Sequence, residues 1–294
     1  MKKLKGKIAL VTGASSGIGR ATVLELARQG AFVVALARSV SRLNSLVEQV
    51  CAAHGQASYV IADVTYPDQV QKAVAEVIAE HGRLDIVISN AAVEYLNPVV
   101  KIKEEELLQM MEVNFFGTLY IAQAALPHLI RQHSGCIVQV SSPMAHLTFP
   151  YMGGYAATKA ACTALAETIR REVAFQDVQV MVCYPGHTNT EIVKHMTPDR
   201  LPAWYSKRPN PLKVEQVAEK LVTGIIQGKK QIVVGRPVSA SSNSSSVRST
   251  HSQRHCSQSH SIRVIQPVHQ QDRSPSNSRD SSSMSVYSGL KNTT

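Results

Sequence analysis

The chain has 294 residues, 44% apolar and 18% charged, enough to enclose a full hydrophobic core. A mean hydropathy near zero, with no apolar run approaching the length of a spanning helix, argues against a membrane segment. The net charge of +10 is not gathered into a stripe: six basic and two acidic residues lie between Ser239 and Thr294, and the rest of the excess is spread along the chain. That distribution describes a solvated surface, and no nucleic-acid partner is expected.

The basic start, Met1 to Lys7, is followed by an apolar stretch of only Ile8 to Val11, too short for a secretory signal. Cys51, Cys136, Cys162, Cys183 and Cys256 stand far apart, without CxxC or CxxH spacing. Neither a disulfide framework nor a zinc site is expected, and a reducing, cytoplasmic compartment is.

Seven short runs rich in Val and Ile predict strands at 8–11, 32–37, 58–61, 84–89, 136–141, 178–183 and 231–234. Between them, amphipathic spacing predicts helices at 17–29, 41–54, 67–81, 103–132, 155–175 and 214–227. Pro127 falls inside the fourth, where it predicts a kink or a division into two helices. Gly30, Gly55 and Gly82 follow the first three, where left-handed C-caps are expected. Alternation of strand and helix predicts right-handed crossovers and a mostly parallel seven-stranded sheet covered on both faces, a doubly wound α/β domain over residues 1–238. From Ser239 the composition changes: about a third of residues 239–294 are serine and few are large and apolar. Such a segment buries too little to offset its ordering entropy, so a disordered tail is expected. It is either a docking or phosphorylation segment, with Arg273 to Ser276 as a candidate site, or a dispensable extension.

The first strand runs into Thr12-Gly-Ala-Ser-Ser-Gly-Ile-Gly19 and then a helix. Gly13, Gly17 and Gly19, with Ser15, Ser16 and Ile18 between them, permit a tight turn and close backbone approach to a pyrophosphate. The helix N-terminus adds N–H groups and a positive dipole end, so the pattern points to a dinucleotide. At the end of the second strand, an acidic residue would bond the ribose 2′-hydroxyl of NAD. Here the chain reads Ala35-Leu-Ala-Arg38-Ser39, with no acid before Glu48. Arg38 offers a planar fork suited to a 2′-phosphate, and NADP(H) is expected in preference to NAD(H).

Tyr155 and Lys159 are four residues apart at a helix start and so share a face. An ammonium beside the phenol favours the phenolate and lowers a pKa that is ordinarily about 10. Such a tyrosine can exchange a proton with a carbonyl or alcohol oxygen. Ser142, ending the fifth strand, is placed to hydrogen-bond the same oxygen.

In order along the chain, Thr12-Gly-x-x-x-Gly-x-Gly19, Asp63-Val64, Ser89-Asn-Ala-Ala92, Asn114, Ser142, Tyr155-x-x-x-Lys159 and Pro185-Gly186 resemble the motifs of the short-chain dehydrogenase/reductase family, over about 230 residues. The resemblance implies a Rossmann-type fold and an NAD(P)-dependent oxidoreductase with a tetrad of Asn114, Ser142, Tyr155 and Lys159. In that scheme Ser142 orients the substrate oxygen, Tyr155 transfers the proton, and Lys159 binds the nicotinamide ribose and depresses the tyrosine pKa. Asn114 would support a water in the proton relay. Asp63 and Val64 would contact the adenine, and Asn90 with Ala91 would hold the loop beside the cofactor. Pro185, Gly186, Thr188 and Thr190 would pass along the nicotinamide. Ala92 departs from the family, which usually has glycine there; a methyl group would crowd the cofactor if the backbone needed a positive φ. The family also implies a homo-oligomer, dimer or tetramer, through helices 103–132 and 155–175.

The segment from His187 to Leu212 is expected to form a lid carrying Met196, Leu201, Trp204 and Tyr205. With Val93, Tyr95, Met144, Leu147 and Met152 it would make a largely apolar pocket for a small-molecule ketone, aldehyde or secondary alcohol. His146, His187 and His195 are not expected to bind a metal. The alternative is a catalytically idle protein that senses NADP(H) and uses its tail for partner contacts; a broken tetrad would mark it, and all four residues are present.

Overall fold

The computed structural model describes residues 3–192 and 210–235. The tail from Ser239 and the lid residues His195, Met196, Leu201, Trp204 and Tyr205 lie outside the described residues. Seven strands, β1 Ile8–Thr12, β2 Phe32–Ala37, β3 Gln56–Ile61, β4 Ile86–Ser89, β5 Gly135–Val140, β6 Val178–Pro185 and β7 Gln231–Val234, form one sheet in the order β3-β2-β1-β4-β5-β6-β7. All six pairings are parallel. The crossovers are α1 Gly17–Arg28, α2 Val40–Ala52, α3 Pro67–His81, α4 Glu104–Met110 with α5 Gly117–Gln132, α6 Gly153–Glu172 and α7 Val214–Ile226. No helix among the described residues is long and apolar enough to cross a membrane.

Parallel strands covered on both faces need apolar side chains on both, and β1 supplies them by simple alternation. Ala9 and Val11 pack with Val23 and Leu26 of α1, Leu46 of α2 and Leu221 of α7. Leu10 belongs to the opposite layer, with Val74 of α3, Ile121 of α5 and Ile169 of α6. Cys136 and Cys183 are packing residues: burial pushes both thiols up to about 12.

Two local expectations are corrected. The helix is not broken at Pro127, which lies inside α5; the irregularity is a wide π turn at Met111–Phe116, between α4 and α5. That turn carries Asn114 toward Val93 and Thr158, which hold its side chain. Gly30 and Gly82 are left-handed as expected, but after α2 it is His54 that takes the positive φ, 56°. Gly55 is needed for space instead: a Cβ there would lie 2.8 Å from Val50 Cγ1 and 3.1 Å from the Ala27 methyl.

At the N-terminal edge of the sheet, the Asp85 carboxylate, only 3% exposed, holds the starts of β1 and β4 together. It accepts from Lys7 Nζ at 2.9 Å, Ile8 N at 3.0 Å and Arg83 Nε and Nη2 at 2.9 and 2.6 Å. Burial opposes its ionisation, but the bonds from Arg83, Ile8 and Lys7 outweigh burial and hold the carboxyl below its usual range. A depressed carboxyl pKa stabilises the fold above the unfolded value and loses that contribution as pH falls through the folded one. Asp85→Asn should therefore lower unfolding stability by about 1–2 kcal/mol at neutral pH, because the Lys7 and Arg83 cations it leaves are nearly half exposed and stay solvated. In denaturant titrations the gap between variant and wild type should close in acid; a gap independent of pH would contradict this account.

Candidate active site

The order of strands reverses between β1 and β4, so the crossovers leaving them depart to opposite faces and leave a crevice at their C-terminal ends. Here β1 gives way to the glycine turn, with Gly13 at φ +63° and Gly17 at +52°. Thr12 closes the crevice floor. Its hydroxyl donates to the Ile88 carbonyl at 3.3 Å and accepts from Asn90 N at 2.9 Å and Ala91 N at 3.2 Å. The Asn90 side chain returns the tie, donating to the carbonyls of Thr12 at 3.0 Å and Gly13 at 3.3 Å. Ser16 precedes α1 in extended backbone and its hydroxyl makes no cap, so the first-turn amides keep the anion-binding role of a helix N-terminus. A methyl group at Gly17 would reach 3.2 Å from the Thr190 methyl carbon, so the segment after β6 lies over the turn. A narrow, amide-lined turn of this kind fits a pyrophosphate.

The remaining cofactor candidates gather around the same crevice. Arg38, at the end of β2, is largely exposed, and its Nη1 lies 3.3 Å from Asp63 Oδ2 at the end of β3. Asp63 also accepts from Thr65 N and Oγ1 at 3.0 and 2.9 Å, while Val64 is buried against Gly117. Pro185 ends β6, Gly186 N donates to the Val234 carbonyl at 2.8 Å, and Thr188 Oγ1 donates to the Gly186 carbonyl at 2.8 Å. Ala92 is not one of the non-glycine residues with positive φ among the described residues, so its methyl group brings no backbone strain.

Tyr155 and Lys159 occupy the first turns of α6, both buried, with Lys159 Nζ 5.7 Å from the phenol ring centroid. Lys159 Nζ donates to the Val140 carbonyl at 3.1 Å, tying α6 to the end of β5. Ser142 follows β5 in extended backbone, and its Oγ accepts from Met144 N at 3.3 Å. Leu96, Met110, Met144, Met152 and Ala156 pack around the tyrosine, with Val93, Tyr95 and Leu147 partly buried at the edge. His146 packs its ring 5.0 Å from that of Tyr184.

The electrostatics depart from the expectation that Lys159 lowers the tyrosine pKa. Burial raises the Tyr155 phenol above its ordinary value, the Glu94 carboxylate raises it further, and hydrogen bonding with Ser142 offsets only part of this. Burial also lowers the Lys159 ammonium. Burial sets the direction of the Tyr155 shift, which favours the protonated, donating form of the phenol.

Asn114 lies in the wide turn before α5 and ties two elements together. Its side chain clasps Val93, accepting from Val93 N at 2.8 Å and donating to Val93 O at 3.0 Å, and donates to Thr158 Oγ1 at 3.0 Å. Its backbone carbonyl accepts from Thr118 Oγ1 at 2.7 Å and Cys162 Sγ at 3.1 Å. The amide is spent on holding the loop after β4 against α6. Thr118 and Thr158 carry no signal in the sequence; each acts through a partner on another element, which no local spacing reveals. Glu94, buried beside the tyrosine, carried one available signal, an acid within an apolar loop.

A family model described as short chain dehydrogenase matches residues 7–201. An uncharacterized oxidoreductase of Staphylococcus saprophyticus is 36% identical over 199 residues, 67% of this chain and 80% of the relative. The 3-oxoacyl-(acyl-carrier-protein) reductase FabG of Thermotoga maritima is 34% identical over 194 residues, 66% of this chain and 79% of that protein. An alcohol dehydrogenase structure from Thermococcus sibiricus, complexed with 5-hydroxy-NADP, superposes with a TM-score of 0.68 at 29% identity, covering 78% of this chain and 95% of that one. The match starts at the first strand and runs past the tyrosine–lysine helix, and the chain belongs to the short-chain dehydrogenase family of oxidoreductases acting on CH–OH groups.

Proposed function

We propose that the protein is an NADP(H)-dependent oxidoreductase that interconverts a carbonyl and a secondary alcohol on a largely apolar substrate, with Tyr155 as general acid and base. The observation that carries this reading is the burial of Tyr155 beside Lys159 and Ser142, within an apolar wall at the C-terminal end of β5. The nicotinamide, when bound, supplies or accepts the hydride. Ser142 orients the substrate oxygen by hydrogen bonding, and Tyr155 gives that oxygen its proton, or takes it in the reverse direction. Lys159 keeps a positive charge near the phenol and the ribose, and Asn114 fixes the loop that borders both. Leu96, Met144 and Met152 exclude water and favour a hydrophobic substituent on the carbonyl.

NADP(H) is favoured because Arg38 directly follows β2 and no acid comes after it in the chain before Glu48 to bond a free 2′-hydroxyl. The solved relative from Thermococcus sibiricus was captured with a derivative of NADP. Buried free thiols suit a reducing cytoplasm, and exposed Leu108 and Phe116 on the α4–α5 face suit assembly with further copies. Fluorescence titration with NADPH and NADH, followed by a panel of hydrophobic ketones and aldehydes read by nicotinamide absorbance, tests the reading. NADPH is expected to bind about tenfold more tightly and to be oxidised by some members of the panel. Tighter binding of NADH would overturn the cofactor assignment, and tight NADPH binding with no turnover across the panel would count against the reaction.

A further inference from the structure

We propose that Arg42, rather than Arg38 alone, reads the 2′-phosphate of the nucleotide, and that Glu191 is a resident competitor for that guanidinium; this rests on the NADP(H) reading above. A cavity of about 390 Å³ opens between the glycine turn and the first turns of α2, with Arg20, Ser41, Arg42, Ser45 and Glu191 in its walls beside Ser15 and Ser16. Two guanidiniums and four hydroxyls facing a single carboxylate make it a receptor for an anion. Arg20 is bonded to neutral groups, Gln49 Oε1 at 2.7 Å and Ser45 Oγ at 3.4 Å, so its charge is not cancelled by them. Arg38 faces elsewhere: it meets Asp63 at the end of β3 and does not line this cavity.

Arg42 Nη1 donates to Glu191 Oε2 at 2.8 Å, joining residues 149 positions apart. Both side chains are about half exposed, 51% and 45%, and an ion pair so hydrated contributes little. A phosphate dianion offers the same guanidinium two parallel bonds, and it gains Arg20 and the serine hydroxyls of the cavity as well. A 2′-phosphate entering the cavity therefore displaces the Glu191 carboxylate, whereas a nucleotide with a free 2′-hydroxyl leaves the pair intact. Glu191 follows Thr190, whose methyl carbon lies over Gly17, so the displaced group belongs to the segment that borders the glycine turn from the β6 side. The phosphate end of the cofactor is thus read by a residue inside α2 and opposed by one beyond β6.

The test is equilibrium titration of the full-length protein with 2′,5′-ADP and with 5′-AMP, which differ only in the 2′-phosphate, for wild type, R38A, R42A and E191Q. R42A should weaken 2′,5′-ADP about tenfold and shift 5′-AMP by less than about twofold. E191Q removes the charge while keeping the side chain's size, and should tighten 2′,5′-ADP about threefold while 5′-AMP is unchanged. Equal effects of R42A on both ligands, or no effect of E191Q on 2′,5′-ADP, would overturn the inference. Wild type that binds the two ligands alike would overturn the NADP(H) reading and this inference together. Discrimination that survives R42A but is lost in R38A would overturn the inference alone.

Discussion

Tyr155→Phe is expected to lower kcat by about a thousandfold while leaving NADPH affinity within about twofold of wild type. The substitution removes one oxygen from a side chain packed among Leu96, Met110, Met144, Met152 and Ala156, so the ring stays in place and the apolar wall is kept. What is lost is the proton donor. Because burial and Glu94 hold the phenol above its ordinary pKa, carbonyl reduction should be flat across neutral pH and fall only in alkali. Alcohol oxidation, which needs the phenolate to receive a proton, should instead climb toward alkaline pH. Steady-state rates in both directions, with a nucleotide titration of the same variant, separate these effects. Turnover in Tyr155→Phe at the wild-type rate would remove Tyr155 from the chemistry.

Gly13→Ala should weaken nucleotide binding by at least about a hundredfold and lower stability by about 2–4 kcal/mol. Gly13 has φ +63°, a conformation that disfavours any side chain, and a methyl group there would lie 2.8 Å from Ala91 Cα and 3.0 Å from Ala91 N. Those neighbours are backbone atoms fixed by bonds to Thr12, so the turn itself must move. Both costs fall on the loop that faces the pyrophosphate. Thermal unfolding with and without NADPH is the measurement. The variant should melt several degrees lower and lose the shift that nucleotide confers. A wild-type response to NADPH would mean that the cofactor does not approach this turn.

The architecture was legible because its signals are local and repeated. Seven β-branched runs separated by helical spacing admit few solutions, and the ranges for β2 and β7 were read from sequence as they stand in the fold. Strand ends were less legible where pairing sets them: β3 begins at Gln56 because Gln56 and Ala57 lie beside Phe32 and Val33. The wide turn at Met111–Phe116 was hidden inside an unbroken amphipathic run, while Pro127, the visible breaker, is tolerated. The same division holds at the candidate site. The glycine turn and the Tyr155–Lys159 spacing announce themselves within a few residues. The clasp of Asn114 on Val93, the thiol of Cys162 on the Asn114 carbonyl and the meeting of Arg42 with Glu191 join positions 21 to 149 residues apart. The direction of the Tyr155 shift was out of reach for a related reason, since it depends on how completely the surrounding side chains remove water.

The all-parallel sheet has a consequence for how such a protein can change. Its strands all point one way, so the molecule has a structural pole, where Asp85 gathers Lys7, Arg83 and the start of β1, and a chemical pole, where the loops carry the side chains discussed above. The two are separated by the length of a strand, and mutations far apart with no shared partners add nearly independently. Drift in substrate choice at one pole can therefore accumulate without eroding the fastening at the other, and the fastening can be strengthened without altering which substrate is taken.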